Sequence, residues 1–261
     1  NNLLGSKSRI PLVTNLFASR DRCAWALNTS NRLLALEYYK RETRGVEPVV
    51  VDENDAPVKE VVLTGEEADL RMLPIIKHYE KDAGPYITGG VHVVWDPEYG
   101  YNAATIRDMY KGPRKLVSLF IKGRHTDIYH RRYENRNLGM PIAIVIGHHP
   151  AFYLGTQTVQ PITVDEYHVI GGVLGEPLRL TPSTTWGKSF LIPADAEIVI
   201  EGEVLPNVRE TEGPFGEFPK TYGPVNRDGR VIVVRAINMR KNSIYLDVIP
   251  GHRDCFFLGS I

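Results

Sequence analysis

From Gly84 onward the chain is punctuated as a run of hairpins, and this feature limits its fold most strictly. Strand-forming residues occupy Ile87 to Trp95, Tyr101 to Tyr110 and Lys115 to Ile121, with the turns Asp96 to Gly100 and Lys111 to Arg114 between them. Strands joined by so few residues return beside one another, so the sheet they make is antiparallel. Strand texture comes back at Glu197 to Val204, at Val231 to Ile237, and at Ser243 to Val248 after a turn over Arg240 to Asn242. Helices interrupt at Asp127 to Asn137, with Thr126 as cap and Gly139 as stop, and at Val164 to Leu174. The chain therefore reads as α+β, its main body an antiparallel barrel or curved sheet.

A smaller α/β segment over 1–83 precedes this body, which covers 84–250. Ser19 and Ser30 are placed to cap two helices, the second with an apolar stripe of Leu33, Leu34, Leu36 and Tyr38 and with Gly45 past its end. Val49 to Val51 and Val61 to Leu63 are extended, Asp52 to Pro57 is turn-prone, and Thr64 is a cap for a helix over Gly65 to Met72. Residues 251–261 read as the start of a linker. They run through Phe256, Phe257 and Leu258 without a polar tail, and apolar ends need something to pack against, so flanking pieces of a longer polypeptide are expected.

Charge and cysteine content exclude several classes of function. Thirty-one basic residues balance thirty-one acidic ones, so no long-range field favours nucleic acid or an anionic membrane. The two cysteines, Cys23 and Cys255, have neither zinc-ligand spacing nor the density of a disulfide framework, which suits a reducing cytoplasm. Apolar runs such as Ile142 to Ile146 are far too short to cross a bilayer. A soluble cytoplasmic protein is the expectation, with any acidic ligand captured by local charges.

The stretch Glu212-Gly-Pro-Phe-Gly-Glu217 carries the most chemical information. Its two glycines and proline hold a turn that presents two carboxylates around Phe215. Paired carboxylates suit acid/base work, with one holding a proton while a cation keeps the other charged, although a solvated surface turn has the same composition. Asn102-Ala-Ala-Thr-Ile-Arg107 joins an amide oxygen to a guanidinium fork suited to carboxylates. Five residues apart on a regular strand, the two side chains face opposite ways, so they share a site only if the strand bulges or ends between them. In Lys122-Gly-Arg-His125 a basic loop enters a helix N-terminus, a place where a phosphate can bind. Thr163-Val-Asp-Glu166 has the pattern of a capping box, in which Glu166 reaches back to the Thr163 N–H; as a cation ligand it would join amide oxygen and imidazole. No His pair shows HxH or HExxH spacing, so spacing alone supports no metal.

These fragments stand in one order: Asn102 to Arg107, Gly123-Arg-His125, Pro141 to Gly147, Glu166 ahead of Gly171-Gly172, Glu197-Ile-Val-Ile-Glu-Gly202, and Glu212 to Glu217. In that order the chain resembles the UbiD-family decarboxylases, from Asn2-Leu-Leu-Gly5 to Leu258-Gly-Ser-Ile261. The resemblance implies a flavin-reductase-like split β-barrel that binds prenylated flavin mononucleotide (prenylated FMN). It implies that Asn102, His125 and Glu166 hold a divalent ion, usually manganese, bridging to the cofactor phosphate, with potassium close by. Thr105, Ile106, Arg107, Lys122, Gly123, Arg124 and His125 fall where the family contacts the cofactor, and Arg107, Glu212 and Glu217 resemble its catalytic Glu-Arg-Glu network. The activity implied is reversible, non-oxidative decarboxylation of an aromatic or α,β-unsaturated acid through a covalent adduct with the flavin. Arg107 would steer the substrate carboxylate and Glu217 deliver the replacing proton, a role calling for a pKa raised by burial.

The resemblance also implies a flavin prenyltransferase as cofactor supplier, and a homo-oligomer, dimer or hexamer, of a longer chain whose C-terminal domain closes the site. After Glu217 the chain reads Phe-Pro-Lys-Thr-Tyr-Gly-Pro224, where many relatives have a Gly-Tyr-Tyr-like run, so substrate choice does not carry over. Two other readings compete: a flavin-binding split-barrel protein without decarboxylase activity, and a metal-assisted hydrolase using Glu212 and Glu217 around a water.

Overall fold

The computed structural model describes residues 8–253 and 255, so the sequence matches at 2–5 and 258–261 lie outside the described residues. The expected pair of N-terminal helices is present as α1 (Arg20–Ala26) and α2 (Leu34–Glu42), flanked by the short strands β1 (Leu12–Val13), β2 (Val49–Val50) and β3 (Val61–Thr64). The helix expected over Gly65 to Met72 is instead two 3-10 turns, Gly65–Glu67 and Leu70–Met72. Asp69 splits it, because its carboxylate accepts the Arg71 N–H and so caps a second start in mid-segment.

The hairpin body follows as β4 (Tyr86–Ile87), β5 (Gly90–Asp96), β6 (Gly100–Thr105), β7 (Asp108–Gly112) and β8 (Lys115–Ser118). Then come α3 (His125–Glu134), β9 (Met140–Ile146), α4 (Pro150–Gly155), α5 (Glu166–Leu174), β10 (Arg179–Ser183) and β11 (Gly187–Pro193). A long hairpin of β12 (Ile198–Glu212) and β13 (Asn226–Met239) and the short β14 (Tyr245–Leu246) complete it. The single strand expected over Tyr101 to Tyr110 is two strands, parted at Ile106 and Arg107. Helix α3 starts at His125 rather than after Thr126, since the Asp127 carboxylate reaches back to the Gly123 N–H and extends the first turn; its left-handed stop is Asn137 at φ 53°, not Gly139. Strands β10 and β11 and helix α4 were not anticipated. Pro182 interrupts the strand signal of the first, and α4 is only six residues long, capped by His149 Nδ1 accepting from the Ala151 N–H.

Nine strands form one antiparallel sheet in the order β4-β7-β8-β13-β12-β9-β5-β6, with β3 also pairing β13. Strand β6 is at one end of this order and β7 is next to the other, yet two residues join them. Three peptide steps span roughly 10 Å at most, so the sheet must curl until its ends approach. One face of β5, β9 and β12 carries His92, Val94, Ile142, Ile144, Ile146, Ile198 and Ile200, and the other Val91, Val93, Val145 and Val199, all essentially inaccessible. Helix α3 packs on β5, β6, β9 and β12, which is why β9 is apolar along its whole length. Main-chain pairing also crosses the texture change at 83/84: β1 pairs β14, β2 pairs β10, and β3 pairs β13. Of the expected strand Ser243 to Val248, only Tyr245–Leu246 is strand, and it lies outside the large sheet.

Candidate active site

The break between β6 and β7 organises the site. Because β6 ends at Thr105, Asn102 stays on the strand while Arg107 sits in the two-residue link, and both line one cavity of about 400 Å³. Thr105, Ile106, Gly123, Arg124, His125 and Glu166 line it too. Lys122 is exposed and is not among the lining residues.

Three elements bring Asn102, His125 and Glu166 together. Glu166 is the first residue of α5, and its Oε2 accepts the Ala103 N–H of β6 at 2.6 Å. The expected capping box is therefore absent: Asp165 caps α5 by accepting the Tyr167 N–H, which frees Glu166 for the strand. His125 is the first residue of α3, and its Nδ1 lies 3.7 Å from Glu166 Oε1. Asn102 Oδ1 accepts from Thr126 Oγ1 at 3.2 Å. Among the described residues no three His, Cys, Asp or Glu side chains cluster as a metal site. This trio instead combines an amide oxygen, an imidazole and a carboxylate, donors that suit manganese or magnesium and that line one cavity. The residues thus fit a divalent cation. Gly123, expected to meet a phosphate, donates its N–H to Asp127 Oδ2.

The second cluster surrounds Arg107. Its Nε and Nη2 donate to the two oxygens of Glu212 at 2.9 and 3.2 Å, a parallel fork, and its Nη1 donates to Glu217 Oε1 at 2.6 Å. Its guanidinium also lies over the Phe215 ring, 4.8 Å from the centroid. Glu212, at the end of β12, is fully buried, whereas the Glu217 side chain is 29% exposed. Burial opposes the Arg107 charge, but the hydrogen bonds and charge of Glu212 and the charge of Glu217 outweigh it and raise the Arg107 pKa. The turn is held from below. Gly213 has φ 83° and donates its N–H to Tyr86 Oη at 3.1 Å, and a Cβ on Gly216 would come within 2.4 Å of the Tyr79 ring. Burial, then the charge and hydrogen bonding of Glu212, push the Tyr86 pKa above its ordinary value.

Three groups the sequence did not signal support the link. Asp108, directly after Arg107, accepts from His92 Nε2, 2.9 Å from each carboxylate oxygen, and from Ser118 Oγ; all three residues are inaccessible. Thr156, Thr158, Val159 and Gln160 also line the cavity, and Gln157 Nε2 donates to Thr105 Oγ1 at 3.0 Å. The only sequence signal there is a polar run between two apolar elements.

This fold is similar to that of UbiD-class enzymes. The UbiD-class enzyme HmfF from Pelotomaculum thermopropionicum, in an evolved dimeric form in complex with prFMN, superposes with a TM-score of 0.91 at 36% identity, over 97% of this chain and 58% of that one. Vanillic acid decarboxylase from Sedimentibacter hydroxybenzoicus, in closed form, gives 0.89 at 28% identity, over 97% and 56%. Anhydromevalonate phosphate decarboxylase from Methanothermobacter thermautotrophicus is 36% identical over 94% of this chain and 56% of its own length. Residues 49–253 match the family model described as the 3-octaprenyl-4-hydroxybenzoate carboxy-lyase Rift-related domain. The chain belongs to the UbiD family, and it spans little more than half the length of the relatives it matches.

Proposed function

We propose that this chain is the cofactor-binding part of a decarboxylase that removes carbon dioxide, reversibly and without oxidation, from an aromatic or α,β-unsaturated acid. One observation carries the reading: Arg107, held by Glu212 and Glu217, lines the same cavity as Asn102, His125 and Glu166. The sheet is read as a split β-barrel, with prenylated FMN from a flavin prenyltransferase and a manganese ion held by Asn102, His125 and Glu166, and potassium nearby. When bound, the prenylated flavin supplies the electron sink for the carboxyl group's departure.

The side chains divide the remaining work. A guanidinium has five N–H donors, and three are used on the glutamates, so Arg107 keeps one on each terminal nitrogen to orient a substrate carboxylate. Glu212 accepts two of those donors and stays fixed beneath the arginine. Glu217 accepts one, is partly exposed, and carries the proton to the carbon that loses its carboxyl group. Anhydromevalonate phosphate decarboxylases among the relatives place a phosphorylated unsaturated acid among the candidate substrates. The functional assembly is read as a homo-oligomer.

Co-expression with a flavin prenyltransferase, followed by a panel of acids under manganese, tests this. Carbon dioxide should be released from at least one acid, and Glu217→Gln should lower turnover by roughly 10²-fold or more with the flavin spectrum intact. Full activity in that variant would reject the proton role. An ordinary FMN spectrum indifferent to manganese, without carbon dioxide release, would reject the decarboxylase reading.

A further inference from the structure

We propose that a second cavity, bordered by Glu217 on the far reach of its loop, binds an anionic group that the substrate carries away from its reacting carboxylate. This deepens the decarboxylase reading and rests on it.

The cavity, of about 220 Å³, is lined by Tyr79, Gly216, Glu217, Lys220, Tyr222 and His252 among others. Local backbone forces bring its cations into place. The Lys220 N–H donates to the Glu217 carbonyl at 2.9 Å and the Glu217 N–H to the Thr221 carbonyl at 2.8 Å, closing a tight loop in which Lys220 takes φ 65°. A left-handed backbone at a lysine is uncommon, and such conformations gather where surrounding contacts impose them at binding sites. The lysine stem lies over Gly251, where an added Cβ would come within 3.1 Å of Cγ, so the chain around 250–252 forms the facing wall.

The polar groups are mostly donors. Among the described residues neither Lys220 nor His252 takes part in an ion pair. Tyr222 Oη accepts the Lys81 N–H at 3.2 Å and so keeps its own hydrogen to donate. The acids nearby are already engaged. Glu217 receives Arg107, and Asp82 is buried with its oxygens taken by the Tyr79 and Gly216 N–H groups. A cavity that offers an ammonium, an imidazole and a phenol, with its bordering carboxylate bound to an arginine, selects a phosphate monoester or a second carboxylate. Glu217 contacts Arg107 on one side and borders this cavity on the other, so the subsite adjoins the arginine that orients the reacting carboxylate.

Two measurements on the purified chain decide the matter. First, calorimetric titration with inorganic phosphate and, separately, with acetate: one of them should bind, and Lys220→Ala should weaken it at least tenfold, with Lys220→Arg recovering most of the loss. Phosphate favoured over acetate identifies a phosphate monoester; the reverse identifies a carboxylate. Binding of neither anion, or binding indifferent to Lys220, would overturn the proposal, the latter assigning the anion to the cavity lined by His125. Second, on the prenylated-flavin holoenzyme, the readout is the ratio of kcat/KM for a phosphorylated unsaturated acid to that for the same acid with a free hydroxyl. Lys220→Ala and His252→Gln should each lower this ratio about tenfold or more. An unchanged ratio with both acids turned over would overturn the subsite and leave the decarboxylase reading standing. Anion binding that depends on Lys220 without turnover of any acid would do the opposite.

Discussion

Arg107 shows how much one side chain can bind together. Its forked contact with the buried Glu212 and its single contact with Glu217 are geometry that a lysine does not reproduce. Arg107→Lys should therefore keep a positive charge yet lower kcat/KM by about 10²-fold, the scale on which misplacement of an orienting group acts. Arg107→Ala should in addition destabilise the fold by roughly 3–5 kcal/mol, because Glu212 is left buried without its partner. Turnover and thermal denaturation of the two variants separate these effects; equal melting temperatures would contradict the second. At this scale the sequence was legible in part. The Asn102 to Arg107 spacing required a bulge or a strand end between them if they share a site, and the strand ends. Glu166 was less legible, because Asp165 and Glu166 compete for one helix start and only the tertiary approach of β6 decides which one caps.

The elements around the site depend on contacts between segments far apart in the chain. Strand β7 is anchored by Asp108, whose carboxylate serves His92 and Ser118. Asp108→Ala leaves both without that partner in a dry interior and should cost about 3–5 kcal/mol, read as a lower urea midpoint. Helix α5 approaches the 41–46 segment through Gly171 and Gly172; a Cβ on Gly172 would lie 2.6 Å from the Arg41 carbonyl oxygen. Gly172→Ala should cost roughly 1–3 kcal/mol through overpacking. Since α5 begins with Glu166, manganese affinity should fall in the same variant, measured by metal titration; unchanged affinity would separate the helix position from the cation site. Hairpins with clear turn residues were readable from sequence. The helix expected at Gly65 to Met72 was not, because Asp69 offers a local hydrogen bond that competes with helix propagation.

For the molecule as a whole, His148 contributes to acid sensitivity. Its two ring nitrogens are shielded and unpartnered, its ring stacks on Phe152 at 4.4 Å, and burial, then the charges of His149 and Arg240, lower its pKa to about 3. An unfolded histidine titrates near 6.5, so above that pH neither state binds the proton and folding is unaffected. As pH falls from about 6.5 towards 3 the unfolded chain takes up a proton that the folded chain refuses, and stability declines by a few kcal/mol at order of magnitude. His148→Phe should flatten that acid limb in denaturation curves between pH 7 and 4; an identical limb would contradict it. The body was legible as an antiparallel barrel or curved sheet, but not which distant strands pair within it, because the pairing of β9, β12 and β13 joins residues with no local signal of proximity. Main-chain hydrogen bonds run across the boundary expected near 83. Among the described residues no helix is long and apolar enough to cross a membrane.

The central claim is that Asn102, His125 and Glu166 hold a cation that fixes a flavin beside Arg107. Its most direct measurement is retention of prenylated FMN by the purified chain, followed spectroscopically with manganese present and after its removal by chelation, in the wild type and in Glu166→Gln. The account predicts manganese-dependent retention that falls at least tenfold in the variant. Retention indifferent to both manganese and Glu166 would contradict it.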